Sequence, residues 1–266
     1  MAGCDTPAMA TRIPYKQIEA IPGWFRRMDM ELFRLLLDAS EEHFGGGDLA
    51  ELGAYLGKSA ALMGCSLQPG ETFTVIDLFS AEATTDDNQS ENEEQYAELS
   101  QEAFEGYYRT VHDELPVVLR APSEEIVQHA AHGTHRFVHI DASHLYEHVV
   151  EDIVAARKLL KPGGVVVFDD YRAPHTPGVA SAVWRATTED LRPFAVTMNK
   201  MYATFDDTQP WLDVLSDWID ERGFWRREIQ HVAGQPLLRV LRPAPKPKSG
   251  ANQPQSQGRS RWWRRG

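Results

Sequence analysis

The feature that most constrains the fold is a series of short, almost wholly apolar runs separated by longer stretches of helical pattern. The runs are Leu49–Leu52, Phe73–Ile76, Pro116–Leu119, Phe137–Ile140 and Val165–Phe168. Between the last two lies LYEHVVEDIVAARKLL (Leu145–Leu160), whose apolar residues recur at helical spacing. Strands without a polar face belong in a sheet covered on both sides, and strands that alternate with helices join in parallel. The pattern predicts an α/β fold with a Rossmann-like, doubly wound sheet. Upstream, MELFRLLLDASEEHF (Met30–Phe44) reads as a helix with one buried face, and residues 13–47 form an N-terminal helical segment. Downstream, FAVTMNKMYATF and PLLRVL flank a helical WLDVLSDWIDERGF. These flanking runs predict strands closing one edge of a mostly parallel sheet, with an antiparallel member there.

One domain of 13–242 accounts for these elements. Residues 1–12 read as a disordered leader, 243–266 as a disordered basic tail, and 80–100, acidic and poor in apolar residues, as a lid-like insertion after a strand end. The chain has 27 Lys and Arg against 39 Asp and Glu, and six of those cations fall in Pro243–Gly266, which has no acid. The folded part is therefore more acidic than the net charge of −12 suggests, and it repels phosphate backbones, which argues against nucleic acid as a partner. Two cysteines, Cys4 and Cys65, supply no disulfide framework. No apolar run reaches the length of a membrane span. A cytoplasmic protein is expected, and a homodimer is compatible with the sequence.

The stretch AELGAYLGKSA (Ala50–Ala60) brings a phosphate-binding loop to mind, and VVVFDD (Val165–Asp170) the magnesium-holding strand of a nucleotide hydrolase. A phosphate loop, however, needs four residues between its first glycine and the Gly-Lys-Ser, and here Gly53 and Gly57 are separated by three. Glu51 also puts an anion where a triphosphate needs donors. Asp77 ends the next predicted strand, where an acidic residue can accept hydrogen bonds from ribose hydroxyls. The turn and the two acids suit a nucleoside ligand without phosphates. Lys58 then reads as an exposed residue at a helix start.

Asp141 ends one predicted strand, and Asp169 and Asp170 end another after an intervening helix. Neighbouring parallel strands would bring the three carboxylates together at the carboxyl edge, where doubly wound sheets bind ligands. Close anions repel unless compensated. A divalent cation would compensate them, and an all-oxygen donor set suits Mg²⁺ or Mn²⁺ rather than zinc.

The strings ELGAYLGKSA, VIDLF, FVHIDASHLYEHVVEDIVAARKLLKPGGVVVFDDY and PGVASAVW resemble the S-adenosylmethionine-dependent class I O-methyltransferases. The resemblance is to the metal-dependent group that methylates sugar hydroxyls of natural products, such as the macrocin and mycinamicin O-methyltransferases, and it runs from Leu49 to Trp184. It implies that Glu51, Gly53, Tyr55 and Ser59 surround the methionine part of the cofactor, that Asp77 takes its ribose, and that Ser123 lies by the adenine. It implies a metal on Asp141, Asp169 and Asp170. His144, three residues after Asp141, matches the histidine assigned as general base, and its ordinary pKa suits proton removal at neutral pH; Asp141 is the fallback base. His139, expected to alternate to the other face of its strand, and His148, one helical turn after His144, are weaker candidates. The implied acceptor is a small molecule or oligosaccharide; a sharper reading is a mannoside, as in an actinobacterial enzyme of methylmannose polysaccharide biosynthesis. Two alternatives stay open: a catechol-type O-methyltransferase acting on a small diol, and a non-catalytic protein that binds S-adenosylmethionine. The complete set of Asp141, His144, Asp169 and Asp170 argues against the second.

Overall fold

The computed structural model describes residues 14–79 and 99–242. The expected leader and basic tail, and nearly all of the lid-like insertion, lie outside the described residues. The strands are β1 (Asp48–Leu52), β2 (Phe73–Asp77), β3 (Val117–Arg120), β4 (His135–Ile140), β5 (Leu160–Phe168), β6 (Arg192–Val196), β7 (Met201–Thr204), β8 (Arg226–Val232) and β9 (Gln235–Leu241). They form one sheet in the order β3-β2-β1-β4-β5-β7-β6-β9-β8. β1 to β5 are mutually parallel, as their apolar character requires: all six residues of β4 are buried.

The antiparallel members are β7, inserted between β5 and β6, and β8 at the edge. FAVTMNKMYATF is therefore two strands with a turn at Thr197–Lys200, because its polar middle cannot continue a buried ladder. β8 escapes a reading by periodicity because RREIQHV is exposed along nearly its whole length. It owes its place to the turn into β9 at Ala233 and Gly234, both at positive φ (50° and 79°), the backbone that a tight hairpin needs.

Helices cover both faces. One carries α2 (Arg27–Phe44), α3 (Lys58–Gly64), α4 (Gln101–Tyr108) and α7 (Gln209–Arg222), and its core includes Phe33, Phe137, Tyr202 and Trp211. The other carries the 3-10 helix Ser123–Gln128, α5 (Tyr146–Leu159) and α6 (Pro177–Ala186), around Val138, Ile153, Val166 and Phe168. Each such large apolar side chain contributes about 1.5–3 kcal/mol relative to exposure. A short helix, α1 (Tyr15–Ala20), precedes α2. No helix among the described residues is long and apolar enough to cross a membrane.

At the amino edge of the sheet, Arg136 is 1% exposed and pairs with Glu71 at 2.9 Å. Its remaining donors reach the carbonyls of Leu37 (2.8 Å) and Ser66 (2.7 Å). A buried charge is tolerated only when so fully paired, and this one ties α2 to β4 at the end remote from the cleft described below.

Asp152, in α5, is the opposite case: it is fully buried, and apart from the nearby Ser123 hydroxyl neither carboxylate oxygen has a hydrogen-bond partner among the described residues. Burial, eased only in part by the nearby Ser123 hydroxyl, pushes its carboxyl up to about 7. A folded-state pKa above the unfolded value of about 3.9 means that the folded chain holds the proton more tightly, so stability declines as pH rises through that interval. Asp152→Asn has no such group to ionise. Its gain in unfolding free energy over wild type should be about 2.5 kcal/mol larger at pH 8 than at pH 5. A difference between the two proteins that does not change with pH would remove Asp152 as its source.

Candidate active site

The register of the sheet builds the site. Ile76, Leu52, Ile140, Phe168 and Met201 stand side by side on β2, β1, β4, β5 and β7. The next residues along the four parallel strands, Asp77, Gly53, Asp141 and Asp169, therefore form one row across the carboxyl edge. Because β7 runs the other way, the residue that joins the row there is the one before Met201, Lys200. Backbone bonds knit the row: Gly53 N–H donates to Ile76 O (2.8 Å), Asp141 N–H to Leu52 O (2.8 Å) and Asp169 N–H to Ile140 O (3.0 Å). Gly53 has φ +78°, and a Cβ there would stand 2.2 Å from the Asp141 carbonyl oxygen, so only glycine fits between the two strand tips.

Beyond Gly53 the chain turns sharply into α3, and Asp77 clasps the turn. Its Oδ2 accepts from Ala54 N–H (2.7 Å) and Tyr55 N–H (3.1 Å), and its Oδ1 from Phe79 N–H (2.8 Å). Burial, opposed by these bonds, leaves its carboxyl above the ordinary value. Both oxygens thus serve the protein's own backbone, so the residue expected to meet a ribose here also fixes the shape of the loop.

A cleft of about 520 Å³ opens over the row. Of the residues expected from sequence, Tyr55, Ser59, Asp141, His144, Asp169 and Asp170 line it. Glu51 is fully buried behind that wall, and Ser123 opens the 3-10 helix, which packs on the other face. Lys58 is not the exposed helix-start residue expected: it is half-buried on the cleft wall, and its Nζ donates to the Gly23 carbonyl at 3.2 Å. This bond pins the segment between α1 and α2, from which Trp24 reaches the rim, 72% exposed and with its ring centroid 5.4 Å from that of Tyr55. Phe25, Arg26, His175 and Asn199 are also among the lining residues that sequence reading missed.

Tyr55 and Asp170 hold positive φ (50° and 49°) without being glycine. Such backbone is costly and persists where surrounding contacts enforce it, often at functional sites. At Asp170, Thr176 Oγ1 donates to the backbone carbonyl at 2.9 Å. The Asp170 carboxylate lies 3.8 Å from His144 Nε2, in the loop two residues before α5. Burial and then Asp169 raise the Asp170 carboxyl, while His144 opposes the shift. Asp141 is exposed on the cleft side; desolvation, followed by the Asp169 carboxylate, moves its carboxyl above the usual range.

Beneath the carboxylates runs a buried chain of ionisable side chains. Lys200 Nζ is 2.6 Å from Asp169 Oδ2 and 2.9 Å from His139 Nε2, and His139 Nδ1 is 2.7 Å from Glu51 Oε1. Lys200 is 2% exposed, and His139 and Glu51 are fully buried. Burial alone would push the Lys200 ammonium down, but Asp169, Asp141 and Asp29 outweigh it and hold the group above its usual value. Burial and the lysine drive the His139 pKa well below normal. The neutral ring therefore donates from Nδ1 to Glu51 and accepts at Nε2. Burial, against the opposing Ser59 hydroxyl and Lys200, raises Glu51 to about 8. Single ligand atoms of His139, Asp141 and Asp169 fall within 4.8 Å of one another. Both nitrogens of His139 are engaged, which leaves the Asp141 and Asp169 carboxylates as the oxygen donors of this group, and Asp170 lines the same cleft outside it. The place of His139 corrects the expectation that it would alternate to the other face of its strand: it stands two residues before Asp141 and so on the same side of β4, whereas Lys200 requires knowing the direction of β7.

Residues 50–171 match the family model described as a methyltransferase domain, a little under half of the chain. Among solved structures, the O-methyltransferase NovP superposes with a TM-score of 0.55 at 21% identity, covering 66% of this chain and 78% of its own. The calicheamicin methyltransferase CalS11 gives 0.52 at 17%, covering 74% and 88%. This is a class I methyltransferase fold. The stretch matched to the methyltransferase domain contains Glu51, Asp77, Asp141, His144, Asp169 and Asp170, but neither Trp24 nor Lys200. No curated protein matches the chain.

Proposed function

We propose that the protein is an S-adenosylmethionine-dependent O-methyltransferase that transfers a methyl group to a hydroxyl of a sugar or glycoside, with Mg²⁺ or Mn²⁺ held by Asp141, Asp169 and Asp170 and with His144 as general base. The observation that carries this reading is the convergence of three carboxylates and a histidine on one cleft, beside a glycine turn too short for phosphates. Gly53, Tyr55 and Ser59 form the cofactor side, with Glu51 behind them and Asp77 holding the turn; Ser123 is the adenine-side candidate. When bound, the cation favours loss of the proton from an acceptor hydroxyl and orients adjacent acceptor oxygens. His144 takes the proton, and the imidazolium so formed faces the Asp170 carboxylate, an opposite charge that stabilises it. Trp24, over Tyr55 at the rim, offers an apolar face to the C–H side of a pyranose ring, and its polar surroundings suit the hydroxyl side. A mannoside is one acceptor of this class.

The cofactor assignment has a direct test. S-adenosylhomocysteine should raise the melting temperature, and ATP and NAD should not. A ligand at a hundredfold excess over Kd adds about 2.7 kcal/mol of stability. Stabilisation by ATP but not by the homocysteine nucleoside would overturn the reading. For the acceptor, labelled S-adenosylmethionine, Mg²⁺ and a panel of glycosides, macrolides and catechols should give label on the glycosides. Label confined to catechols would make the protein a catechol-type enzyme.

A further inference from the structure

Three neighbouring carboxylates call for a compensating cation, and the fold already holds one. The Lys200 ammonium enters the cluster from the side opposite the cleft, 2.6 Å from Asp169 Oδ2, and its second bond at 2.9 Å goes to His139 Nε2. The lysine is not free to leave. It closes the β6–β7 turn, where its backbone N–H donates to Thr197 Oγ1 (3.0 Å), and Thr197 Oγ1 donates in turn to Asp29 Oδ1 of α2 (2.8 Å). Tyr202 OH donates to the same Asp29 oxygen (2.8 Å), and the Phe25 and Phe33 rings stand 5.3 and 5.7 Å from the ammonium. Behind His139 lies the fully buried Glu51, whose Oε1 is 2.7 Å from His139 Nδ1. A lysine held on every side, next to acids that line the cleft, has more than a packing role.

We infer that Lys200 is a positioning residue, a resident cation that orients Asp169 and holds the carboxylate cluster together before any divalent ion arrives. This rests on the cation site of the proposed function. A fixed positive charge a few ångströms from the carboxylates repels an incoming ion, so the divalent cation binds weakly to the protein alone and is confined to the cleft side, where acceptor oxygens can complete its shell. Lys200 therefore makes the cation exchangeable, and the site does not need it in order to fold.

The test is Mn²⁺ binding by calorimetry and by electron paramagnetic resonance, with no acceptor present, on wild type, Lys200→Met, Lys200→Gln and Lys200→Arg. Removing the charge should tighten Mn²⁺ binding roughly tenfold or more, whereas Lys200→Arg, which keeps it, should stay within a few-fold of wild type. In EDTA the melting temperature of Lys200→Met should fall, and Mn²⁺ should restore it by more than it raises that of wild type. A lower melting temperature with unchanged or weaker Mn²⁺ affinity in both neutral variants would reduce Lys200 to an ordinary core ion pair. Lys200→Gln, which can still donate to Asp169 and His139, decides the matter if Lys200→Met does not fold. Should wild type turn over with no divalent ion while Lys200→Gln alone binds Mn²⁺, the inference stands and the cation-dependent reading falls. If no variant binds Mn²⁺, both fall.

Discussion

Asp170→Ala is expected to abolish turnover and to weaken Mn²⁺ binding, while S-adenosylhomocysteine still raises the melting temperature as in wild type. Asp170 lines the cleft and is not the carboxylate bonded to Lys200. Its loss therefore removes one oxygen donor from the cation site and the counter-charge of His144 without stripping a buried lysine of its partner. Nothing on the Tyr55 and Ser59 side of the cleft changes. Asp169→Ala should differ in kind, because it leaves the Lys200 ammonium buried and unpaired as well. Breaking a buried pair in this way costs about 3–5 kcal/mol. The comparison separates cation binding from folding: Asp170→Ala should unfold near the wild-type temperature and Asp169→Ala well below it. Retained, cation-dependent turnover in Asp170→Ala would remove this residue from the site.

His144→Ala should leave Mn²⁺ and S-adenosylhomocysteine bound and cut kcat by roughly 10²- to 10⁴-fold, the range for a positioned general base. The ring sits on the cleft wall, 3.8 Å from Asp170, close enough for that carboxylate to steady the charge it acquires. Rate should recover in part as pH is raised, because hydroxide can then take the acceptor's proton. No such recovery is expected for the aspartate variants, whose defect is not a missing base. Near-normal kcat in His144→Ala would return the histidine to a structural role in the β4–α5 loop and move the search for a base to Asp141.

The sheet was legible in the chain because its central strands are apolar on both faces, a property that survives without knowledge of their partners. So were Asp141, Asp169 and Asp170, since an acid that ends an apolar run is a local signal, and parallel pairing then puts such ends together. The Gly53 turn was legible as a tight turn by its glycine spacing, and the structure places it between the β1 and β4 tips. β8 was not, because its residues are exposed and only pairing with β9 makes them a strand. Nor could the chain disclose that Asp77 would spend both oxygens on the loop, or that Glu51 would lie behind the cleft wall. Trp24 stands 117 positions before Asp141, in a segment with no pattern of its own; it reaches the cleft through the packing of that segment, anchored by buried Ile21 and Phe25 and by the Lys58 bond to the Gly23 carbonyl. Lys200 is the clearest case. In sequence it is a polar residue in the middle of FAVTMNKMYATF, and nothing there marks it as the start of a second strand. It becomes the partner of Asp169 because β7 runs antiparallel beside β5 with Met201 opposite Phe168. A strand's direction and register are set by long-range pairing and burial, so the charge balance of the site was decided only when the sheet closed.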